Sequence, residues 1–277
     1  MIKNFKYYAG LIDADGSLNI MPRPLSNGNT RINIQVVIKL RYDQEEILQP
    51  IADHYNVKLY HYSVVDNRTG NTYHSVGLNL NGKKAMRLLE MIKKHLVIKQ
   101  SIAEWLLSVY NEEATPDRLE AIKAERTSLR LDTTPSKKNH PTRQWVAGYI
   151  DGDGCINSGY AKDTGSLSLQ IMVATSIHDP QGVLLLHKAF GGRFQKRDNT
   201  LRWYLNIGDP SKAEQFLTFC NSHLRIKRWQ ADYVLGIIRE RKHLKKHGAT
   251  PESNLLIHET LMKAKKPHRL SDKNPTG

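Results

Sequence analysis

Between Thr30 and Leu40 the chain alternates apolar Ile32, Ile34, Val36, Ile38 and Leu40 with Arg31, Asn33, Gln35, Val37 and Lys39. A period of two lays one face of a strand on a core and leaves the other to solvent. Leu167–Val173 repeats the pattern, with Leu167, Leu169, Ile171 and Val173 alternating with Ser168, Gln170 and Met172. Each strand has a partner across a turn. Ser17–Arg23 meets Thr30–Leu40 around Pro24, Asn27, Gly28 and Asn29, and Cys155–Ala161 meets Leu167–Ser176. Second hairpins are predicted from Lys58–Val65 with Thr72–Leu80, around Asn67–Asn71, and from Gly192–Arg197 with Leu201–Ile207. Helical spacing predicts Asp43–Tyr55 (despite Pro50), Gly82–His95, Gln100–Glu112 and Asp117–Leu131, then Asp179–Phe190, Asp209–Asn221 and Arg228–His243. The polar stretch Asp132–Thr142, with Pro135 and Pro141, reads as a linker. The basic, Pro-punctuated segment from Gly248 reads as a loose appendage.

These elements occur twice because the sequence does. Tyr8-Ala-Gly-Leu-Ile-Asp-Ala-Asp-Gly-Ser-Leu18 recurs as Val146-Ala-Gly-Tyr-Ile-Asp-Gly-Asp-Gly-Cys-Ile156, 138 residues later. The alternating strand follows in both copies. Leu96-Val-Ile-Lys99 with Trp105 downstream then matches Leu224-Arg-Ile-Lys227 with Tyr233. Three segments agreeing in order and kind mark an internal duplication. The expected organisation is a repeat over 1–112, a partly helical linker over 113–142, a second repeat over 143–247 and a basic tail over 248–277.

Composition narrows the partner. Forty-one Lys and Arg against 27 Asp and Glu leave +14 in 277 residues, a balance suited to a polyanion such as nucleic acid. No apolar run reaches the ~18–20 residues that span a bilayer, and the first residues lack a signal-peptide pattern, so a reducing, intracellular setting is expected. Two cysteines, Cys155 and Cys220, make neither a disulfide framework nor a zinc site, and read as buried thiols.

The duplicated Asp-x-Asp-Gly carries the candidate chemistry. An EF-hand loop needs a third oxygen ligand and a Glu in register, and a dinucleotide fingerprint needs a preceding strand; both fail here. A purely structural helix end, with Gly16 and Gly154 as left-handed stops, is the plain alternative. Duplication argues against it, since packing seldom needs two Asp at the same helix end in both halves. Gly10 with Ala14, and Gly148 with Gly152, give each helix a small stripe through which two backbones can approach. Such packing brings both acidic helix ends together. Carboxylates and unsatisfied carbonyls there form a hard-oxygen site suited to Mg²⁺. In a basic protein that combination suggests phosphodiester hydrolysis.

Tyr8–Gly16 and Val146–Gly154, with Tyr149 and Gly152 as variants, resemble the motif that names the LAGLIDADG homing endonucleases, and the doubling resembles the single-chain members. The resemblance implies an α+β fold of two pseudo-symmetric αββαββα repeats packed through the motif helices, with antiparallel sheets forming a DNA-binding saddle. It implies a monomeric, Mg²⁺-dependent endonuclease that leaves four-base 3′ overhangs, with two or three divalent ions shared between two active sites. By position, Asp15 and Asp153 would bind metal with the carbonyls of Ala14 and Gly152, while Asp13 and Asp151 would be structural. Gln35 and Gln170 match a water-orienting polar residue, and Lys99 and Lys227 match a lysine that lines the site.

Recognition is assigned to the outward hairpin faces: Asn19, Arg23, Arg31, Asn33 and Lys39, then Arg193, Lys196, Arg197, Arg202, Tyr204 and Asn206. A two-stranded ribbon fits the major groove, and unequal halves predict a non-palindromic target. His243 and His247 have metal-compatible spacing but sit among Arg239, Arg241, Lys242, Lys245 and Lys246, which read as a phosphate-facing or solvated patch. Trp105 and Tyr233 are expected in the core. Two other functions suit the same features: an RNA maturase whose second partner is intron RNA, and a non-catalytic DNA-binding regulator. An intron-borne protein, with an organelle (chloroplast or mitochondrion) as a compatible compartment, is what the resemblance implies.

Overall fold

The computed structural model describes residues 4–65, 70–131, 140–206, 210–243 and 250–265. Helix α1 (Phe5–Asp15) runs directly into strand β1 (Gly16–Pro24), which pairs antiparallel with β2 (Thr30–Arg41). Helix α2 (Glu45–Tyr55) leads to β3 (Tyr60–Val65) and β4 (Thr72–Asn81), giving the order β1-β2-β4-β3. Helices α3 (Lys83–Ile92) and α4 (Gln100–Val109) follow. Two residues of β5 (Glu113–Ala114) then pair with Thr30 and Arg31 of β2, before helix α5 (Pro116–Leu131). The second half repeats the plan with α6 (Arg143–Asp153), β6 (Gly154–Ala161), β7 (Ser166–Ser176), α7 (Gln181–Phe190), β8 (Arg193–Arg197) and β9 (Thr200–Asn206). Its sheet order is β6-β7-β9-β8, and α8 (Pro210–Cys220), α9 (Arg228–His243) and α10 (Pro251–Lys265) complete the chain.

The alternation has the predicted consequence: Ile32, Ile34, Val36 and Ile38 are fully buried on the inner face of β2, as are Ile171 and Val173 on β7. Helices α1 and α6 are buried on nearly every side, Tyr7–Asp13 in one and Trp145–Asp151 in the other. They pack against each other through Gly10 and Gly148. A Cβ on Gly10 would land on the Trp145 carbonyl, and one on Gly148 on the Tyr7 carbonyl.

Several expectations need correction. Pro50 lies inside α2 without ending it, because the carbonyl it leaves unpaired, four residues back at Glu46, is at an exposed position. Helix α4 stops at Val109, not Glu112, because Asn111 turns left-handed (φ 66°) and donates its N–H to Ile32 O at 2.8 Å. The supposed loose appendage is helix α10 over 251–265. Its Leu261 is fully buried, Asn254 Nδ2 donates to Gly165 O at 2.9 Å, and His258 Nδ1 lies 3.0 Å from Ser158 Oγ. Cys220 is buried, with its thiol pushed up to about 12 by loss of solvent, but Cys155 is only half-buried. Trp105 and Tyr233 pack against the core as expected while remaining half-buried, and Trp105 donates to Glu125 of α5 at 2.9 Å. The linker residues 132–139, the turn residues 66–69, Lys245, Lys246, His247 and residues 266–277 lie outside the described residues, as do the side chains of Lys242 and His243.

Candidate active site and strand faces

The first acid of each motif organises the protein interior. Asp13 accepts backbone N–H bonds from Val97, Ile98 and Lys99 at 2.7, 3.2 and 2.8 Å, and the Trp145 indole N–H at 2.7 Å. Asp151 mirrors it, accepting from Arg225, Ile226 and Lys227 at 2.8, 3.2 and 2.9 Å and from the Tyr7 hydroxyl at 2.8 Å. Each buried carboxylate thus ties the start of its own repeat's following helix to the partner motif helix. The structural role expected for Asp13 and Asp151 has this physical basis: a carboxylate with three or four donors can remain buried.

The second acids meet at the helix ends. Gly16 and Gly154 follow them in extended conformation (φ −76° in both), so neither is the left-handed stop considered above. Glycine is needed there because a Cβ would lie 2.6 Å from Ile12 O or 2.5 Å from Ile150 O. A Cβ on Gly152 would lie 2.5 Å from the Ala14 Cβ and 3.0 Å from Asp15 Oδ2, which places the Asp15 carboxylate against the opposite helix. Loss of solvent raises the pKa of both acids. Asp153 rises to about 6, with the Asp15 charge adding to the burial and Lys99 and Lys227 opposing it.

Lys99 and Lys227 are brought to this junction, but they point at the helix ends. Lys99 Nζ donates to the carbonyls of Ile12, Asp13, Ala14 and Gly16 at 2.7, 2.8, 3.3 and 2.8 Å. Lys227 Nζ donates to the Asp151 carbonyl and, at 3.4 Å, to Gly152 O. Each ammonium neutralises the negative C-terminal end of a motif helix. Burial lowers both lysine pKa values, against the pull of nearby carboxylates.

Gln35 and Gln170 are not brought to the acids. Gly16 pairs with Ile38 and Gly154 with Val173, whereas Gln35 and Gln170 sit three residues further along, opposite Asn19 and Asn157. Three residues of strand are about 10 Å. A pocket of about 340 Å³ beside Asp15 is lined instead by Lys39, Arg41, Gln44, Gly152, Lys227 and Gln230. Gln44 and Gln230 escaped the sequence reading, because Gln44 follows the end of the alternating strand and Gln230 shows only a helical period.

The outward faces follow the register. Asn19, Arg23, Arg31, Asn33, Gln35 and Lys39 share one face of β1 and β2. Arg31 lies 3.9 Å from Glu113, and the Asn19 Oδ1 accepts from Arg126 of α5 at 2.6 Å. In the second sheet Arg193, Arg197, Arg202, Tyr204 and Asn206 share the outward face with Gln170. Lys196 does not. It pairs with Leu201, next to the Phe194–Trp203 pair, and parity turns it to the helix side of the sheet.

Among the described residues no group of three or more His, Cys, Asp or Glu side chains converges. A half-buried Asp153 whose pKa the neighbouring, more exposed Asp15 raises, beside carbonyls of Ala14 and Gly152, nevertheless fits a hard divalent cation, which relieves that repulsion and accepts oxygen ligands. No helix among the described residues is long and apolar enough to cross a membrane.

Comparison with known proteins agrees with this arrangement. No family model matches the chain. Over 118 residues, 40% of this chain, it is 29% identical to DNA endonuclease I-CvuI of Chlorella vulgaris, covering 73% of that protein. The fold superposes on the LAGLIDADG homing endonuclease I-GzeII in complex with its DNA target, with TM-score 0.63, 17% identity, and 96% of this chain and 100% of that chain covered. It also superposes on meganuclease I-SmaMI bound to uncleavable DNA, with TM-score 0.62, 16% identity, and 98% and 99% of the two chains covered. I-SmaMI is also known bound to uncleaved DNA target in the presence of calcium ions. The motif is present twice and the two-sheet architecture is shared over almost the whole length, so the chain has the fold of the single-chain, two-motif LAGLIDADG homing endonucleases and is similar in part of its sequence to I-CvuI.

Proposed function

We propose that this chain is a site-specific homing endonuclease. It makes a double-strand break in a long asymmetric DNA target by Mg²⁺-dependent hydrolysis, leaves four-base 3′ overhangs, and is borne by an intron. The observation that carries this reading is the meeting of Asp15 and Asp153 across two helices, between two strand faces rich in cations and amides. The names of the similar proteins support it, since they are DNA endonucleases and meganucleases bound to DNA.

The strand faces grip the duplex and set a phosphate of each strand over the helix ends. Asp15 and Asp153, with the carbonyls of Ala14 and Gly152, would hold the divalent cations. When bound, these supply Lewis-acid activation of water and stabilisation of the leaving oxygen. The water oxygen bonds to phosphorus as the P–O3′ bond breaks, the water gives up a proton to solvent, and the 3′ oxygen gains one. Lys99 and Lys227 act through the helix ends: by holding those carbonyls they fix where the acids stand and offset the local negative charge.

Two measurements test this. Purified protein and Mg²⁺, given a plasmid carrying the joined sequences that flank the reading frame, should linearise it; binding without cleavage would overturn the reading. Lys99→Met should slow cleavage by about a hundredfold with DNA affinity within about threefold. It should also cost about 1–3 kcal/mol of stability, because helix-end carbonyls lose their donor. A fall in affinity matching the fall in rate would make Lys99 a phosphate anchor instead.

A further inference from the structure

Register places a row of three primary amides across each sheet. In the first, Gln35 of β2 lies opposite Asn19 of β1 and Asn81 of β4. In the second, Gln170 of β7 lies opposite Asn157 of β6 and Asn206 of β9. The rows occupy the same position in both halves, three residues from the Gly16–Ile38 and Gly154–Val173 rungs that adjoin the acids. All six face away from the core, since their strand neighbours Ile34, Val36, Leu169 and Ile171 are buried.

Two details set what the rows present. The Asn19 amide is oriented by Arg126, which bonds its oxygen at 2.6 Å and leaves the Nδ2 donor and one oxygen lone pair to face outward. Among the described residues the Asn206 Oδ1 is buried without a hydrogen-bond partner, an arrangement that costs free energy until a donor arrives. A primary amide offers one donor edge and one acceptor, the complement of adenine N6 and N7 in the major groove. Three strands set about 4.8 Å apart spread the amides over about 10 Å, close to the groove width of about 12 Å.

We infer that the two amide rows are specificity determinants that read A·T pairs at mirror-related positions of the target, about three base-pair steps outward from the acids. This rests on the DNA-cleaving reading above, and it gives Gln35 and Gln170 a base-reading role in place of the water-orienting one. The target is then asymmetric overall but matched at these two places.

Selection of binders from a random duplex library, in Ca²⁺ so that binding is read without cleavage, tests the inference with wild type, Gln35→Ala and Gln170→Ala. Wild type should enrich a site with A·T at one position in each half, where any other pair costs about tenfold in affinity. Gln35→Ala should flatten that preference in one half only, and Gln170→Ala in the other only. Enrichment of G·C there, or variants with the wild-type base profile, would overturn the inference. So would uniform slowing of cleavage on every duplex when the same variants are assayed in Mg²⁺, the signature of a water-orienting residue. Failure of wild type to enrich any sequence would sink the endonuclease reading itself, a separable result.

Discussion

Asp15→Asn and Asp153→Asn should each lower double-strand cleavage by at least about a thousandfold while leaving the protein as stable as wild type or more so at pH 8. The two halves of this expectation have one cause. Both carboxylates crowd the helix ends, Asp153 half-buried and Asp15 more exposed, and Asp153 is raised from 3.8 to about 6 mainly by burial and then by Asp15. A raised carboxylate pKa means that the folded state disfavours the ionised form. The penalty is absent below the unfolded value near 3.8 and complete above about 6. Wild type should therefore lose stability as pH rises through that window, by about 1–2 kcal/mol after allowance for partial solvation. Asp153→Asn should not. Cleavage runs the other way, since cation binding needs the ionised acids, so activity should fall as pH drops below about 6. Thermal melts of wild type and Asp153→Asn across pH 4–8, beside strand-cleavage rates, check both limbs. An Asn variant that cuts at the wild-type rate, or that melts well below wild type at pH 8, would remove the acids from the centre of the mechanism.

How much of this was legible in the sequence depended on what each residue answers to. Period-two alternation in Thr30–Leu40 and Leu167–Val173 is set by a core on one side only, so the inner faces were read correctly. Lys196 was misplaced because β8 is exposed along its whole length and gives no alternation to follow; only its pairing with Leu201 fixes its side. Helix α10 did leave a trace that charge and proline obscured. Thr250 precedes Pro251 at the first helical position, the Thr250 and Ser253 side chains cap each other's N–H groups at 3.2 and 3.0 Å, and Asn254, Ile257 and Leu261 share a face. The meeting of Asp15 and Asp153 at the helix ends was legible from duplication. The partners of Asp13, Asp151, Lys99 and Lys227 were not, because they join segments more than 70 residues apart that only the fold brings together.

Gly10→Ala and Gly148→Ala should be the most destabilising single-methyl changes in the molecule, each costing about 3–5 kcal/mol. A Cβ at Gly10 would overlap the Trp145 carbonyl oxygen and lie 2.8 Å from its carbon and 2.9 Å from Tyr149 N. The obstacle is backbone on a buried helix, so no rotamer change relieves it; the helices must part. Parting them stretches the Tyr7–Asp151 and Trp145–Asp13 bonds, now 2.8 and 2.7 Å, and separates Asp15 from the Gly152 backbone. Against a total stability of about 5–15 kcal/mol, such a loss leaves a marginal fold. Gly28→Ala is the informative contrast. Gly28 is left-handed (φ 82°) with nothing among the described residues within 4 Å of the added carbon, so it should cost only about 1 kcal/mol of backbone strain. The two helix substitutions should also be less than additive, because one separation of α1 from α6 accommodates both methyl groups. Urea denaturation of the three single variants and the Gly10→Ala/Gly148→Ala pair measures these terms. A Gly10→Ala protein within about 1 kcal/mol of wild type would mean the helices can move apart cheaply, and the placement of both acids would then need another source of rigidity.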